Sequence, residues 1–544
     1  MSIYLYTSYL TGRLINRSCS ILLHSSVSQR TEADKDMETG AIQNNGVFAV
    51  SADPRPARRN KIAMASAILA SLVSILLGYD NGVMSGAVIF IKEDLKISDT
   101  KLEIVAGIIN VCSLFGCAAA GRTSDWIGRR YTIVFASLIF LVGALLMGLA
   151  PNYSWLMAGR IVAGVGVGYA MMIAPVYTAE ISPAASRGFL TSFPEVFINF
   201  GVLLGYISNY AFAGLPLKLG WRVMLGAGAI PSVILACGIV IMPESPRWLV
   251  LKGRIGEARK VLSTICDSEE DTESRLADIK KTVGIPESSV GDIVEVPKRK
   301  KGDAVWKDLL LHPTPAVRRV LIASVGIQFF QQASGIDSVV LYSPRIFQKA
   351  GLTKKSALLG ATVAVGFSKT VCVLISTFYL DRVGRRPILL ASVGGMIVSL
   401  IALATGLTIV DHSDTKVTWA IVLCVGMTWL FVGSFSMGLG PIPWVYSSEI
   451  FPLKLRAQGV SIGVAVNRVT SGVVGMTFLS LYHAITIQGS FFMFAGITTI
   501  AGIFFYTFLP ETHGKNLEDM EDLFSTSYKL NAFTGPCRKI NGRV

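Results

Sequence analysis

The chain is a succession of long apolar runs, each close to the roughly 20 residues a helix needs to cross the hydrocarbon core of a bilayer. This feature leaves few folds open. Lipid offers no water to backbone N–H and C=O groups, so each run must satisfy them internally, as an α-helix. Twelve runs are read, at 62–83, 103–120, 131–150, 156–180, 189–210, 221–242, 317–342, 357–380, 387–409, 418–442, 458–482 and 489–509. A polar stretch at 250–315, rich in Lys, Glu, Asp and Ser, divides them six and six. Composition supports the reading, because 16% of residues are charged, against roughly 25% in a soluble domain. The expected fold is an all-α membrane protein of twelve transmembrane helices in two six-helix halves. The expected divisions are an extension at 1–60, halves at 61–249 and 316–512, a linker at 250–315 and a tail at 513–544. GRIGEARKVLSTI (253–265) has the amphipathic pattern of a short helix in that linker.

The net charge is +14. A basic balance can signal nucleic acid, but here Lys and Arg sit in short segments between apolar runs, where they set membrane topology. No nucleic-acid partner is expected. The 2–3 turn carries Arg122, Arg129 and Arg130, the 4–5 turn Arg187, the 8–9 turn Arg382, Arg385 and Arg386, and the 10–11 turn Lys454 and Arg456. The 7–8 loop, with Arg345, Lys349, Lys354 and Lys355, runs against this trend. The balance puts both termini and the central stretch in the cytoplasm. The eight cysteines are scattered, most of them inside apolar runs, and show no metal-binding spacing. No metal and no cofactor is expected.

Three motifs occur twice, in the same order. DWIGRR at 125–130 returns as DRVGRR at 381–386, EISPAASRG at 180–188 as EIFPLKLRAQG at 449–459, and PESPRWL at 243–249 as PETHGKNLE at 510–518. The second half therefore repeats the first. Two parallel six-span repeats are the layout of a transporter whose halves rock about a central site. In the first half the carboxylates Asp125, Glu180 and Glu244 are placed to pair with Arg129, Arg130, Arg187 and Arg247 across helix ends. In the second, Asp381, Glu449 and Glu511 are so placed with Arg385, Arg386 and Arg456. Such clusters read as a cytoplasmic gate, closed in one state and open in another. Plain topological anchoring would explain one basic turn, but not carboxylates at matching offsets in three paired motifs.

GRTSDWIGRR, PESPRWL, DRVGRRP and PETHGKNLE together resemble the signatures of the sugar porter family of the major facilitator superfamily. QFFQQASGID (328–337) and GPIPWVYSSEIFP (440–452) resemble its sugar-site helices. The resemblance spans about 60 to 520 and is closest to the plant polyol/monosaccharide proton symporters. It implies a multi-pass protein of the plasma membrane, with the lipid bilayer around it, working as a monomer by alternating access. The implied substrate is a polyol or monosaccharide, and protons are the coupling ion.

Ionisable residues inside spans cost roughly 2.5–3.5 kcal/mol each on insertion scales, and they mark pathways. Asp80, in LLGYDNG, is placed in the outer half of span 1, and Arg160 about one turn into span 4, at a matching depth. A carboxylate stripped of water favours its protonated form, and a nearby Arg opposes this. Movement of the Arg would then let the acid take a proton. A static structural pair is the alternative. By the resemblance, proton-coupled members carry Asp here and facilitators usually Asn.

Gln328, Gln331 and Gln332 fall on adjoining parts of one face of span 7. Amides supply donors and acceptors together, as a polyhydroxylated ligand requires. A lone buried Gln is more often glue between helices, but three ahead of a Gly-Ile-Asp break favour a sugar site. By the resemblance, Gln331 and Gln332 match the sugar-contacting pair, and Phe435, Trp444 and Asn467 match further lining positions. Three departures stand out. Asp337 replaces a family Asn, Glu195 a family Gln and Lys369 another Asn, so two acids and one base stand where neutral amides are usual. A buried Lys needs a partner, so Lys369 is expected to pair with Asp337 or Glu195.

Residues 1–30 contain no acid and resemble a transit peptide or a disordered extension, and METGAIQNNG from Met37 resembles the usual start of polyol transporters. An enzyme is disfavoured because no nucleophile motif or His/Asp cluster appears. A sugar sensor of this fold typically carries a long cytoplasmic tail, and this tail is short. An uncoupled sugar facilitator is the nearest rival, and Asp80 argues against it.

Overall fold

The computed structural model describes residues 61–182, 190–239, 242–266, 268–286, 291–294, 313–352, 354–413, 417–451 and 455–512. Nineteen α-helices occur among them, with no strand beyond an isolated bridge between Arg254 and Ile293. In the first half, span 1 is α1 (Lys61–Ser71), a 3-10 turn and α2 (Ile75–Leu95). Spans 2 to 5 are α3 (Asp99–Ile127), α4 (Arg129–Gly148), α5 (Tyr153–Ile181) and α6 (Phe193–Phe212). Span 6 is α7 (Leu217–Gly226) with α8 (Ala229–Ile239). Three short helices follow: α9 (Pro246–Leu251), α10 (Ile255–Ile265) and α11 (Glu269–Val283). In the second half, span 7 is α12 (Pro315–Ala333) with α13 (Ile336–Lys349), and spans 8 and 9 are α14 (Lys355–Val383) and α15 (Arg385–Asp411). Span 10 is α16 (Thr418–Met437) with α17 (Ile442–Ile450), and spans 11 and 12 are α18 (Arg456–Ile485) and α19 (Ile487–Phe508).

Ten of these stretches are long and apolar enough on their own to cross a membrane. The other two are spans 5 and 7, and both depart for reasons that bear on function. The α6 helix carries Glu195, Asn199 and Asn209 among its apolar residues. Span 7 is broken: Gly335 sits at φ +84°, where a Cβ would also meet the Phe494 ring at 2.7 Å, so glycine alone fits without strain. The break falls between the three glutamines and Asp337. Span 1 is longer than expected, running to Leu95 instead of 83. This corrects the depth of Asp80, which lies near the middle of the span.

Side-chain caps start several helices. Ser98 accepts from the Lys101 N–H, Asn152 from Trp155 and Thr314 from Val317, the last with Pro315 following at the first helical position. Between the halves, α9 to α11 bury Trp248, Leu249, Ile255, Leu262 and Leu276 in a core of their own. Arg275 of α11 donates to the Ser182 carbonyl at 2.9 Å, tying this cluster to the end of α5. Among the described residues the halves meet mainly where span 2 lies on span 11, span 5 on span 8 and span 1 on span 7.

Candidate functional site

The two basic turns share one construction. Gly128 and Gly384 both lie at φ +101°, each ending one helix and exposing the N–H groups that start the next. A carboxylate from far along the chain accepts those N–H groups. Glu244 takes Arg129 N at 2.9 Å and Arg130 N at 3.2 Å, and Glu511 takes Arg385 N at 3.0 Å and Arg386 N at 2.9 Å. This is favourable charge placement at a helix N-terminus. The glycines also make room, for a Cβ on Gly128 would lie 2.4 Å from Glu244 Oε2, and one on Gly384 3.1 Å from Glu511 Oε2. The Arg129 side chain reaches Glu180 and Asp125, each at 3.0 Å, and Arg385 reaches Glu449 at 3.0 Å. Ser245 Oγ donates to Glu180 at 2.5 Å and Thr512 Oγ1 to Glu449 at 2.8 Å. Burial pushes the Glu244 carboxyl above its usual range, against the pull of three backbone N–H groups.

This corrects part of the expected pairing. Glu244 and Glu511 act on backbone N–H groups of the turns. The Arg130 guanidinium stands over the Tyr131 ring, and Arg386 stands over Tyr506 and donates to its carbonyl at 2.7 Å. Arg247 is exposed and joins none of these contacts. The carboxylates that each turn reaches belong to its own half. Arg187 and the side chains of Asp381 and Arg456 lie outside the described residues.

Asp80 of α2 and Arg160 of α5 form a fully buried ion pair. Arg160 Nη1 lies 2.6 Å from both carboxylate oxygens, and the two side chains are 0% and 1% exposed. The other guanidinium nitrogens are spent on α3: Nε donates to the Val105 carbonyl at 2.9 Å and Nη2 to Ala106 at 3.0 Å. The pair therefore depends on where α3 lies against α5.

Toward the centre, the amides of α12 and α18 interlock. Asn467 Nδ2 donates to Gln328 Oε1 at 2.9 Å and to Gln331 Oε1 at 2.7 Å, and Gln332 Nε2 donates to Asn467 Oδ1 at 3.2 Å. Gln331 Nε2 reaches the Leu439 and Gly440 carbonyls, at 2.9 and 2.8 Å, in the break between α16 and α17. Phe435 is buried at the end of α16, and Trp444 is half-buried on α17. Gln332 Oε1 is buried without a partner among the described residues.

Four charged groups adjoin this array. Asp337, just past the span 7 break, accepts from Ser471 Oγ. Glu195 of α6 accepts from Asn199 Nδ2 at 3.2 Å. Lys369 of α14 is 9% exposed. Its expected direct ion pair is absent among the described residues. Burial disfavours its charge, and Glu195 and Asp337 both favour it through space. The fourth group, Arg468, is one the sequence reading missed. It is 5% exposed, donates to Asn467 Oδ1 from Nε at 3.1 Å and from Nη2, and feels Asp337 and Glu195. With Arg468, the charged groups at the centre are two acids and two bases. The signal was present, since Arg468 is an ionisable residue inside an apolar run, like Lys369.

At the end opposite the basic turns, charged contacts join the halves. Lys355 meets Glu93 at 3.0 Å, and Arg345 and His483 approach Asp99 at 3.4 and 3.5 Å. Ser480 donates to Glu103 from N at 2.7 Å and from Oγ at 2.6 Å. Sequence reading missed Glu103, Glu93 and Asp99. A cavity of about 330 Å³ lies there, lined by Lys92, Glu93, Asp99, Arg345 and His483 among others, and it contains none of the central amides. Among the described residues no cluster of His, Cys, Asp or Glu suits a metal ion.

Residues 66–524 match the family model described as "Sugar (and other) transporter". "Polyol transporter 5" of Arabidopsis thaliana is 63% identical over 472 residues, covering 87% of this chain and 88% of the relative. "Putative polyol transporter 1" of the same plant is 59% identical over 507 residues, covering 93% and 99%. Among solved structures, the proton:xylose symporter XylE bound to 6-bromo-6-deoxy-D-glucose superposes with a TM-score of 0.71 at 26% identity, covering 86% of this chain and 100% of that one.

Proposed function

The chain belongs to the sugar transporter family of multi-pass membrane proteins, and on that premise we propose that it is a proton-coupled symporter of polyols and monosaccharides, working by alternating access. The observation that carries this reading is the Asp80–Arg160 pair, fully buried in the membrane-spanning region of the same protein as the central amide array. Both relatives named above carry polyol-transporter names, and its structural neighbour is named a proton:xylose symporter.

The coupling follows from what Arg160 touches. Two of its three nitrogens are held by carbonyls of α3, so a shift of α3 against α5 moves the guanidinium relative to Asp80. A carboxylate left without its counter-charge in apolar surroundings gains a proton. Substrate hydroxyls are held by the amides and charged groups at the centre, where donors and acceptors alternate. The halves part at one end while the other is closed. In this conformation the cross-half contacts of Lys355, Arg345 and Ser480 hold the end away from the basic turns. The turns themselves are rigid elbows whose glutamates fix helix ends within each half.

Under this proposal the basic turns face the cytoplasm, both termini lie on that side, the membrane is the plasma membrane and one chain suffices. Residues 61–249 and 316–512 are the moving halves, and 250–315 links them.

The test is uptake of a labelled hexose and a labelled polyol into transporter-deficient cells, with and without an uncoupler. Accumulation that collapses with the uncoupler supports symport. Uptake that only equilibrates and ignores the uncoupler makes the protein a facilitator, and no uptake at all leaves it a sensor.

A further inference from the structure

Arg468 is the least expected group at the centre of the protein. It is 5% exposed, and two of its nitrogens hold Asn467 Oδ1. Its remaining nitrogen, Nη1, has no acceptor within hydrogen-bond reach among the described residues, and no ion pair takes it. A guanidinium has five donors and no acceptor, so Nη1 keeps donors to offer. The same Asn467 oxygen also receives Gln332 Nε2, and the other end of that amide, Gln332 Oε1, is the one buried oxygen of the array left without a donor. An idle donor and an idle acceptor thus flank one shared atom, Asn467 Oδ1.

We propose that Arg468 and Gln332 form a donor–acceptor pair that reads two hydroxyls of the substrate, Arg468 Nη1 donating to one hydroxyl oxygen and Gln332 Oε1 accepting the proton of the other. The inference rests on the symport reading and adds the specificity-determining role of Arg468. Both groups converge on one Asn467 oxygen, so the two hydroxyls lie close together on the substrate, as in a diol. Asp337 and Glu195 balance the guanidinium charge from a distance without occupying its free donor.

A residue that only balanced charge would affect all substrate analogues alike, so analogues separate the two roles. Each hydroxyl of a transported substrate is replaced in turn by fluorine, which accepts a hydrogen bond weakly and donates none, or by hydrogen, which does neither. At the hydroxyl read by Arg468 the fluoro analogue should be transported with a KM well below that of the deoxy analogue, by about tenfold, the scale of one hydrogen bond to a charged group. At the hydroxyl read by Gln332 both analogues should fail equally. Arg468→Leu should raise KM for the parent substrate about tenfold or more and remove the fluoro–deoxy difference, and Arg468→Lys should keep part of it. A native protein with no position showing the difference overturns the proposal, even if neither variant reaches the membrane. So does an Arg468→Leu protein that keeps it. Uptake of the parent compound by the native chain tests the symport reading separately, since that reading can hold while the analogue pattern fails.

Discussion

Lys369 shows what a single residue can reveal in a membrane and what it conceals. Its position inside an apolar run marks it as functional, and its need for acidic company is a matter of electrostatics. The company turned out to be a set of four charges, Glu195, Asp337, Lys369 and Arg468, in which Lys369 makes no direct ion pair among the described residues. Removing one member leaves a buried imbalance of the kind that costs about 3–5 kcal/mol. Lys369→Asn alone should therefore reduce uptake per molecule at the membrane at least tenfold. Adding Glu195→Gln or Asp337→Asn should each restore part of it, because both carboxylates act on Lys369 through space. No recovery with either contradicts the balanced set. The glutamines and Asn467 were readable from spacing and resemblance. Arg468 went unread beside Asn467, and the idle atoms of the array could not be read at all, since they depend on how amides from two spans interlock.

At the scale of an element, the repeated turns were legible as a pattern of acids and bases, while their backbone construction was not. Acid and base at close spacing suggest side-chain ion pairs, and Arg129 with Asp125 and Glu180 makes them. The deeper reason for the repeat is a glycine at φ +101° that bares a helix N-terminus to a glutamate more than a hundred residues later. No local reading couples Gly128 to Glu244, because only the closed packing of spans 3 and 6 brings them together. A graded outcome follows. Gly128→Ala meets left-handed strain and a carboxylate oxygen at 2.4 Å, whereas Gly384→Ala meets the same strain with its nearest carboxylate oxygen at 3.1 Å. Both should lower the melting temperature of the purified protein, by about 1 kcal/mol or more of stability, and Gly128→Ala should lower it further. The reverse order in a thermal melt would contradict the cap. Arg129→Gln, which spares the backbone cap, should slow turnover while substrate binding is largely kept. Equal losses of both would place Arg129 in the binding site or in folding.

For the whole molecule, twelve spans in two halves were legible because each span is a long apolar run and the second half copies the first. The span 7 break was visible as Gly-Ile-Asp. The bonds that close the two halves against each other were not, because Glu93, Asp99, Glu103 and Lys355 lie at span ends, where charge is commonplace. Alternating access predicts that this end must open in every cycle. Glu93→Cys combined with Lys355→Cys, bridged by a short bifunctional thiol reagent, should stop uptake, while either single variant treated alike should not. Uptake that continues in the bridged protein would mean that the closure is not part of the cycle. The central claim, that substrate moves with a proton through Asp80, is tested most directly with the purified chain in liposomes containing a pH dye and no imposed pH gradient. Addition of a transported polyol or monosaccharide outside should acidify the lumen with the native protein. Asp80→Asn should still exchange substrate across the membrane but leave the lumen pH unchanged. Substrate entry by the native chain with no proton movement, or an Asp80→Asn protein that acidifies the lumen as the native one does, would contradict it.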